Sequence, residues 1–309
     1  MLGNNNVGNR KYPYTQNNCL GRGGSGEVYR VSPDSVDKII EICRFHKSDE
    51  NFSLSSIRDI DVRNCHGNRY MIGEKFVSLR KHELDKLRYA ERERSMLEKV
   101  AKVDNVAKFI GTKFIDWSGM FCYVIKMSYA SGDELNSLMY DDKIDLKQAS
   151  YAIHETAKIL LDLKKKHIIH RDVKPKNIIH DAERNKTTLI DFGLAMFEGE
   201  IRGIAGNFLF MSPEQHWGEA LTTSSDVYNL GVTALVIYSG GSVKRVTSEF
   251  GMYPESQNEE RKRRYFEAFR RRSIIPDNLV KAIEMTLEKN PSERNIEPLI
   301  EESLRFSQS

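Results

Sequence analysis

The sequence predicts an α+β fold in two parts, rich in strands first and in helices after. Three observations carry that expectation. Short β-like runs follow one another between Cys19 and Ala130, at Val28 to Val31, Val36 to Ile42, Val106 to Ile115 and Phe121 to Met127. One helical stretch interrupts them, roughly His82 to Val100, with mixed charge and Glu/Lys/Arg pairs four residues apart. From Asp133 onward the pattern turns mostly helical, and strands followed by helices imply two layers of different make-up.

Taken in order, residues 1–15 are rich in Asn and Gly and read as a loose tail. Residues 16–130 form the strand-rich part, with an insertion between about 44 and 82, and residues 131–309 form the helical part. Within the latter, Leu146 to Lys166 carries apolar residues on one helical face and ends in three lysines, as a helix C-terminus favours. No internal repeat is visible.

Composition excludes several classes. The chain has 309 residues, 39% of them hydrophobic and 29% charged, which suits a soluble globular protein with a sizeable core. A net charge of +3 offers no global field for nucleic acid or a membrane surface. The four cysteines, Cys19, Cys43, Cys65 and Cys122, lie far apart without a CxxC pair, which argues against a disulfide framework or a zinc site. The longest apolar run, around Val232 to Tyr238, is too short to span a bilayer. The first residues lack the charged and apolar regions of a signal peptide and the Met-Gly start of myristoylation. An intracellular, soluble, cytoplasmic protein is the expectation.

The chemistry starts at Gly21-Arg22-Gly23-Gly24-Ser25-Gly26-Glu27-Val28, of the form GxGxxGxV. Glycines let a backbone pass close over phosphates and present its N–H groups to them. A dinucleotide fold would start a helix after such a loop, whereas Val28-Tyr29-Arg30-Val31 reads as a strand, which favours a glycine hairpin. Farther on stands His170-Arg171-Asp172-Val173-Lys174-Pro175-Lys176-Asn177, then Asp191-Phe192-Gly193, then Met211-Ser212-Pro213-Glu214.

These segments match HRDxxxxN, DFG and the place of APE, in order, and from Leu20 to about Phe306 the chain resembles the eukaryotic-like protein kinase superfamily, Ser/Thr branch. The resemblance implies a bilobal fold and transfer of the ATP γ-phosphate to serine or threonine hydroxyls of protein substrates. In it Asp172 accepts or orients the hydroxyl proton and Lys174 neutralises the γ-phosphate. Asn177 and Asp191 hold Mg²⁺, or Mn²⁺, as hard cations require oxygen ligands. Gly21, Gly23, Gly24, Gly26 and Val28 cover the nucleotide. Met127 stands as gatekeeper, with the hinge from Ser128 to Ala130.

For the lysine on the α- and β-phosphates, Val36-Asp37-Lys38 followed by Ile39-Ile40 fits the VAIK strand, with Glu93 as its partner on the helix. The alternative puts the strand at Phe76 to Leu79 and the contact at Arg80 or Lys81. The resemblance also implies that Asp226 anchors the catalytic loop, that Arg294 pairs with Glu214 in a buried structural contact, and that Phe192 packs among His170, Leu97 and Phe109. His170, at i,i+3 from His167, then reads as a core group, and the two not as a metal pair.

Departures from the family pattern are informative. Between Leu194 and Met211 there is no Ser, Thr or Tyr, so phosphorylation cannot switch that stretch. Glu198 and Glu200 offer Arg171 a fixed negative partner there, or are merely solvated. Asn207 stands where the family places a threonine whose hydroxyl bonds the catalytic aspartate and lysine. The insertion after Lys38 is a docking surface or a flap. Residues 261–272, with Arg261-Lys262-Arg263-Arg264 and Arg270-Arg271-Arg272, read either as a patch for an acidic partner or as the solvated face of a helix whose Tyr265, Phe266 and Phe269 face the core. A scaffold that binds nucleotide and a partner protein, of the pseudokinase type, is the alternative function. It would be expected to lack Lys38, Asp172, Asn177 or Asp191.

Overall fold

The computed structural model describes residues 13–23, 26–44, 62–66, 69–72, 75–117, 119–140, 143–240, 246, 259–272 and 274–309. It divides into a strand-rich unit, Met1–Arg94 with Phe109–Tyr129, and a helix-rich unit, Ser95–Lys108 with Ala130–Ser309. The expected division at 130 therefore needs one correction, since residues 95–108 join the helical unit. The cause is local pairing. The expected strand at Val106 starts only at Phe109, because Val106 forms a parallel bridge to Leu189 and the Ala107 N–H donates to the Leu189 carbonyl.

In the strand-rich unit, β1 (Cys19–Gly23), β2 (Gly26–Ser32), β3 (Ser35–Arg44), β8 (Met120–Ser128) and β7 (Phe109–Trp117) form one antiparallel sheet in the order β1-β2-β3-β8-β7. Pro33 and Asp34 make the tight β2–β3 turn. One sheet face buries Tyr29, Ile39, Ile115, Cys122 and Val124. Tyr14 completes that cluster, with its ring 5.4 Å from Tyr29 and 6.0 Å from Trp117. Its hydroxyl donates to Asp37 Oδ2 at 2.7 Å, and Lys113 Nζ donates to the same oxygen at 2.9 Å. The loose tail assigned to 1–15 is corrected at this point: Tyr14 is core, because an aromatic ring with a buried carboxylate to meet overrides a polar neighbourhood. Residues 1–12 lie outside the described residues.

Two things stand between β3 and β7. Strands β4 (Val62–His66), β5 (Arg69–Ile72) and β6 (Lys75–Ser78) form a separate antiparallel meander, β4-β5-β6, within the insertion. Helix α1 (Lys81–Lys99) follows, its start fixed by Glu83, which accepts from the Arg80 N–H at 2.7 Å. Leu84, Leu87 and Ala90 on it are buried at helical spacing.

In the helix-rich unit, β9 (Asp133–Glu134) leads into α2 (Leu135–Tyr140), and α3 (Leu146–Lys164) is capped by Asp145, which accepts from the Gln148 N–H at 2.8 Å. β9, β11 (Ile178–Asp181) and β12 (Lys186–Leu189) make a three-stranded sheet, and β10 (Ile168–Ile169) pairs with β13 (Met196–Phe197). Helices α4 (Pro213–Trp217), α5 (Ser224–Tyr238), α6 (Glu259–Arg272), α7 (Asp277–Thr286) and α8 (Glu297–Gln308) follow. α5 is buried along almost its whole length, and α3 packs against both α5 and α8. Among the described residues no helix is long and apolar enough to cross a membrane. Cys19 and Cys122 are free thiols.

Candidate active site

The glycine hairpin forms as the sequence requires. Gly23 pairs with Gly26 across β1 and β2, and Gly21 with Val28. Gly24, at the tip, lies outside the described residues. Gly26 has φ +132°, and a Cβ there would stand 2.4 Å from the Ile39 carbonyl oxygen, so only glycine lets β2 approach β3 so closely.

Register then places Lys38 between Val28 on β2 and Ile125 on β8. Its Nζ donates to both Glu93 oxygens, at 2.7 and 2.9 Å, with both side chains about 95% buried. A buried ion pair is costly to desolvate and persists when its geometry is bidentate, as it is here. Lys81, the alternative, opens α1 and is exposed, and the strand ending at Ser78 belongs to the separate meander. Met127 is buried opposite Val36 and Phe109, and Ser128 closes β8. Ala130 follows the strand end, in the helix-rich unit.

The second cluster sits in the helix-rich unit, on the loop between β10 and β11. Asp172 is almost fully buried. Its Oδ2 accepts from Lys174 Nζ at 2.5 Å and from Asn177 Nδ2 at 3.0 Å, while its Oδ1 accepts from the Asn207 N–H at 3.2 Å. Asn177 Nδ2 donates also to the Asp172 carbonyl, at 2.8 Å, which commits its N–H₂ side inward. The Asn177 carbonyl accepts from the Ile190 N–H, so Asn177 and the residue before Asp191 are tied together. Asp191 takes φ +65°, a left-handed conformation that Asp tolerates better than bulky residues. An amide oxygen and a carboxylate on two segments tied by that backbone bond are the donor types a hard divalent cation accepts.

The loop is held from beneath. Asp226, fully buried near the start of α5, accepts from the His170 N–H at 2.7 Å and the Arg171 N–H at 2.8 Å. Burial lifts its carboxyl to about 6, against the pull of His170 and of the two amides. Those bonds support Arg171 at φ +69°. The His170 ring donates to the Ile190 carbonyl from Nε2, accepts the Asp172 N–H at Nδ1, and meets the buried Phe192 edge-on at 4.8 Å.

Several supports carried no sequence signal. Gln215 Nε2 donates to the Arg171 carbonyl, Thr233 Oγ1 to the Val173 carbonyl, and Asn229 Nδ2 to the Phe210 carbonyl and to Gln215. Glu214 meets Arg294 bidentately, at 2.6 and 2.8 Å, and accepts from Ser225 Oγ. Burial pushes the Glu214 carboxyl up, but the guanidinium outweighs it and holds the group below its usual value. These partners are far apart in sequence and converge only when α4 and α5 pack.

One expectation changes. Glu198 bonds His167 Nδ1 at 2.9 Å and accepts the Thr223 N–H at 2.7 Å, and Glu200 pairs with Arg202. Arg171 Nη2 donates instead to the Gly203 carbonyl at 2.7 Å. Along 261–272, Lys262 pairs with Glu288, Arg263 with Glu267, Arg264 with Glu260, and Arg270 with Asp277 and Glu284. Tyr265, Phe266 and Phe269 are buried, as a helix with one core face requires. The Arg261 and Arg272 side chains lie outside the description.

Comparison with known proteins agrees with this arrangement. Over 244 residues, 74% of this chain and 45% of the relative, the chain is 26% identical to a calcium and calcium/calmodulin-dependent serine/threonine-protein kinase of Medicago truncatula. It is 28% identical to a serine/threonine-protein kinase of Schizosaccharomyces pombe, covering 72% of this chain and 65% of that protein. A G-type lectin S-receptor-like serine/threonine-protein kinase of Arabidopsis thaliana is 35% identical over 38% of the chain and 16% of its own length. The chain thus spans less than two-thirds of each of these relatives. The family model of the protein kinase domain matches residues 60–302, beginning beyond β3. With α1, the catalytic loop and the helices behind it all inside that match, the chain belongs to the protein kinase domain family, in its eukaryotic-like Ser/Thr branch.

Proposed function

We propose that the chain transfers the γ-phosphate of ATP to serine or threonine hydroxyls of proteins. The observation that carries this reading is the state of Asp172, whose Oδ2 is occupied by Lys174 and Asn177 while Oδ1 holds a single backbone bond. A carboxylate held in one plane with a lone pair to spare suits a group that orients a substrate hydroxyl and takes its proton. Phosphoryl transfer needs positioning and charge neutralisation more than covalent help. Lys174 would neutralise the γ-phosphate, Lys38 would hold the α- and β-phosphates, and Glu93 would keep Lys38 extended. Asn177 Oδ1 and the Asp191 carboxylate would hold Mg²⁺ or Mn²⁺, which when bound neutralises phosphate charge. The glycine hairpin and Val28 would cover the nucleotide.

We further propose that the enzyme does not wait for phosphorylation between Leu194 and Met211. That segment has no hydroxyl to modify and is held by its own bonds. Arg171 grips the Gly203 carbonyl, Arg202 the Ala195 carbonyl at 2.8 Å, and Glu198 the Thr223 amide. The test is transfer of labelled phosphate from Mg·ATP to a mixed protein substrate by protein made in a host without such kinases. Asp172→Asn and Lys38→Met are expected to cut the rate by about 10²–10⁴, and Lys81→Met to leave it unchanged. Loss in Lys81→Met with Lys38→Met intact would move the phosphate-contacting lysine. ATP binding without transfer by wild type would favour the scaffold reading.

A further inference from the structure

The chain passes directly against the catalytic loop at Gly206. It has φ +128°, and a Cβ there would meet the Arg171 carbonyl oxygen at 3.0 Å and Met211 Cε at 3.2 Å. Asn207, the next residue, makes a closed turn. Its Oδ1 accepts from the Leu209 N–H at 3.1 Å, and its backbone carbonyl accepts from the Phe210 N–H at 2.9 Å and the Met211 N–H at 3.2 Å. The side-chain bond two residues on is an Asx turn, a conformation Asn and Asp stabilise with their own carbonyl oxygen. The far end is tied as well, since Asn229 Nδ2 reaches the Phe210 carbonyl. With both ends held, the Asn207 N–H donates to Asp172 Oδ1 at 3.2 Å.

On the proposed phosphotransferase reading, we infer that Asn207 is a positioning residue for the catalytic base: its side chain closes the turn that aims its own backbone N–H at Asp172. The departure from threonine is then a change of device. A hydroxyl reaches a carboxylate with its side chain. Here the side chain shapes the backbone, and the backbone makes the bond. The donor is the main chain, so any side chain that accepts from the Leu209 amide should preserve it, and one that cannot should lose it.

The test uses the full chain with Asn207→Ala, Asn207→Gly and Asn207→Ser. Two readouts are taken: steady-state kinetics, and hydrogen exchange at the Asn207 and Leu209 amides. Alanine and glycine are expected to lower kcat about tenfold, as loss of one hydrogen bond to a charged group would. KM for ATP should stay unchanged and both amides should exchange faster. Serine, which closes the same turn more weakly, is expected to keep most of kcat and of the protection. Glycine, like alanine, leaves the amide in place and removes the clasp, while serine keeps an acceptor and guards against reading a folding failure as loss of the bond. Wild-type kcat in Asn207→Gly, or serine as impaired as alanine, overturns the inference. So does an Asn207 amide that exchanges freely in wild type, whatever the activity. Protected amides in a wild type that transfers no phosphate would leave the turn standing and remove the proposed function instead.

Discussion

Asp226 has two jobs of opposite sign. Its ionised carboxylate holds the His170 and Arg171 amides, yet burial lifts the group to about 6 and so penalises that same ionised form. A carboxyl raised in the folded chain takes up its proton there before it does in the unfolded chain. Its contribution to stability is then full below the unfolded value, near pH 4, and is lost as pH rises through about 6. The two amide bonds run the other way and weaken on protonation. We therefore expect kcat to fall between about pH 6 and pH 4 before the melting temperature does, read from parallel kinetic and melting series. Melting that leads the loss of kcat would assign the acid limb to unfolding. At this scale the motif residues were legible: Asp172, Asn177 and Asp191 stand in short runs whose order and spacing carry the resemblance. Gln215, Thr233 and Asn229 were not, because each acts on a carbonyl distant in sequence and belongs to no local pattern.

At the scale of elements, the hydrophobic periods predicted the sheet strands and helix α1 to within a few residues, since strand and helix bury faces at different spacings. They gave no strand at β4 or β5, whose runs are short, and offered the β6 run only as an alternative. They also misplaced Val106 and Tyr14, whose positions depend on partners outside their own segments, Leu189 and Asp37. Helix packing supplies a sharp test. Gly231 lies on the face of α5 that meets the end of α7, where a Cβ would come within 2.1 Å of Thr286 Oγ1 and 2.9 Å of Leu287 Cδ2. Gly231→Ala is expected to destabilise by roughly 1–3 kcal/mol, the usual range for overpacking a closed interior. Denaturant unfolding should show a lower midpoint with an unchanged slope. A midpoint equal to wild type would mean the two helices part freely there.

At the scale of the whole molecule, the Glu214–Arg294 pair joins segments 80 residues apart. Arg294 also donates to the Glu288, Ser224 and Lys289 carbonyls and lies over the Tyr228 ring at 5.0 Å. Arg294→Ala would strand a buried carboxylate, which costs about 3–5 kcal/mol. Calorimetry should show the helix-rich unit melting well below wild type, and Glu214→Gln combined with Arg294→Ala should recover part of the loss by removing the stranded charge. Recovery of none of it would mean that the guanidinium matters for its carbonyl bonds alone. The resemblance foresaw this pair, and local chemistry foresaw the two-part α+β fold, because glycine, HRD and DFG segments and hydrophobic periods are all short-range properties of a chain. The pairing of Lys38 with Glu93 was not local. It depended on which strand entered the five-stranded sheet opposite Glu93, and register is set by pairing between segments that the chain brings together only on folding. The ion pairs on α6, the burial of Tyr14 and the turn at Asn207 were settled in the same way. A carboxylate, a ring or an amide acquires its role from the partner packing delivers, and sequence distance does not disclose that partner.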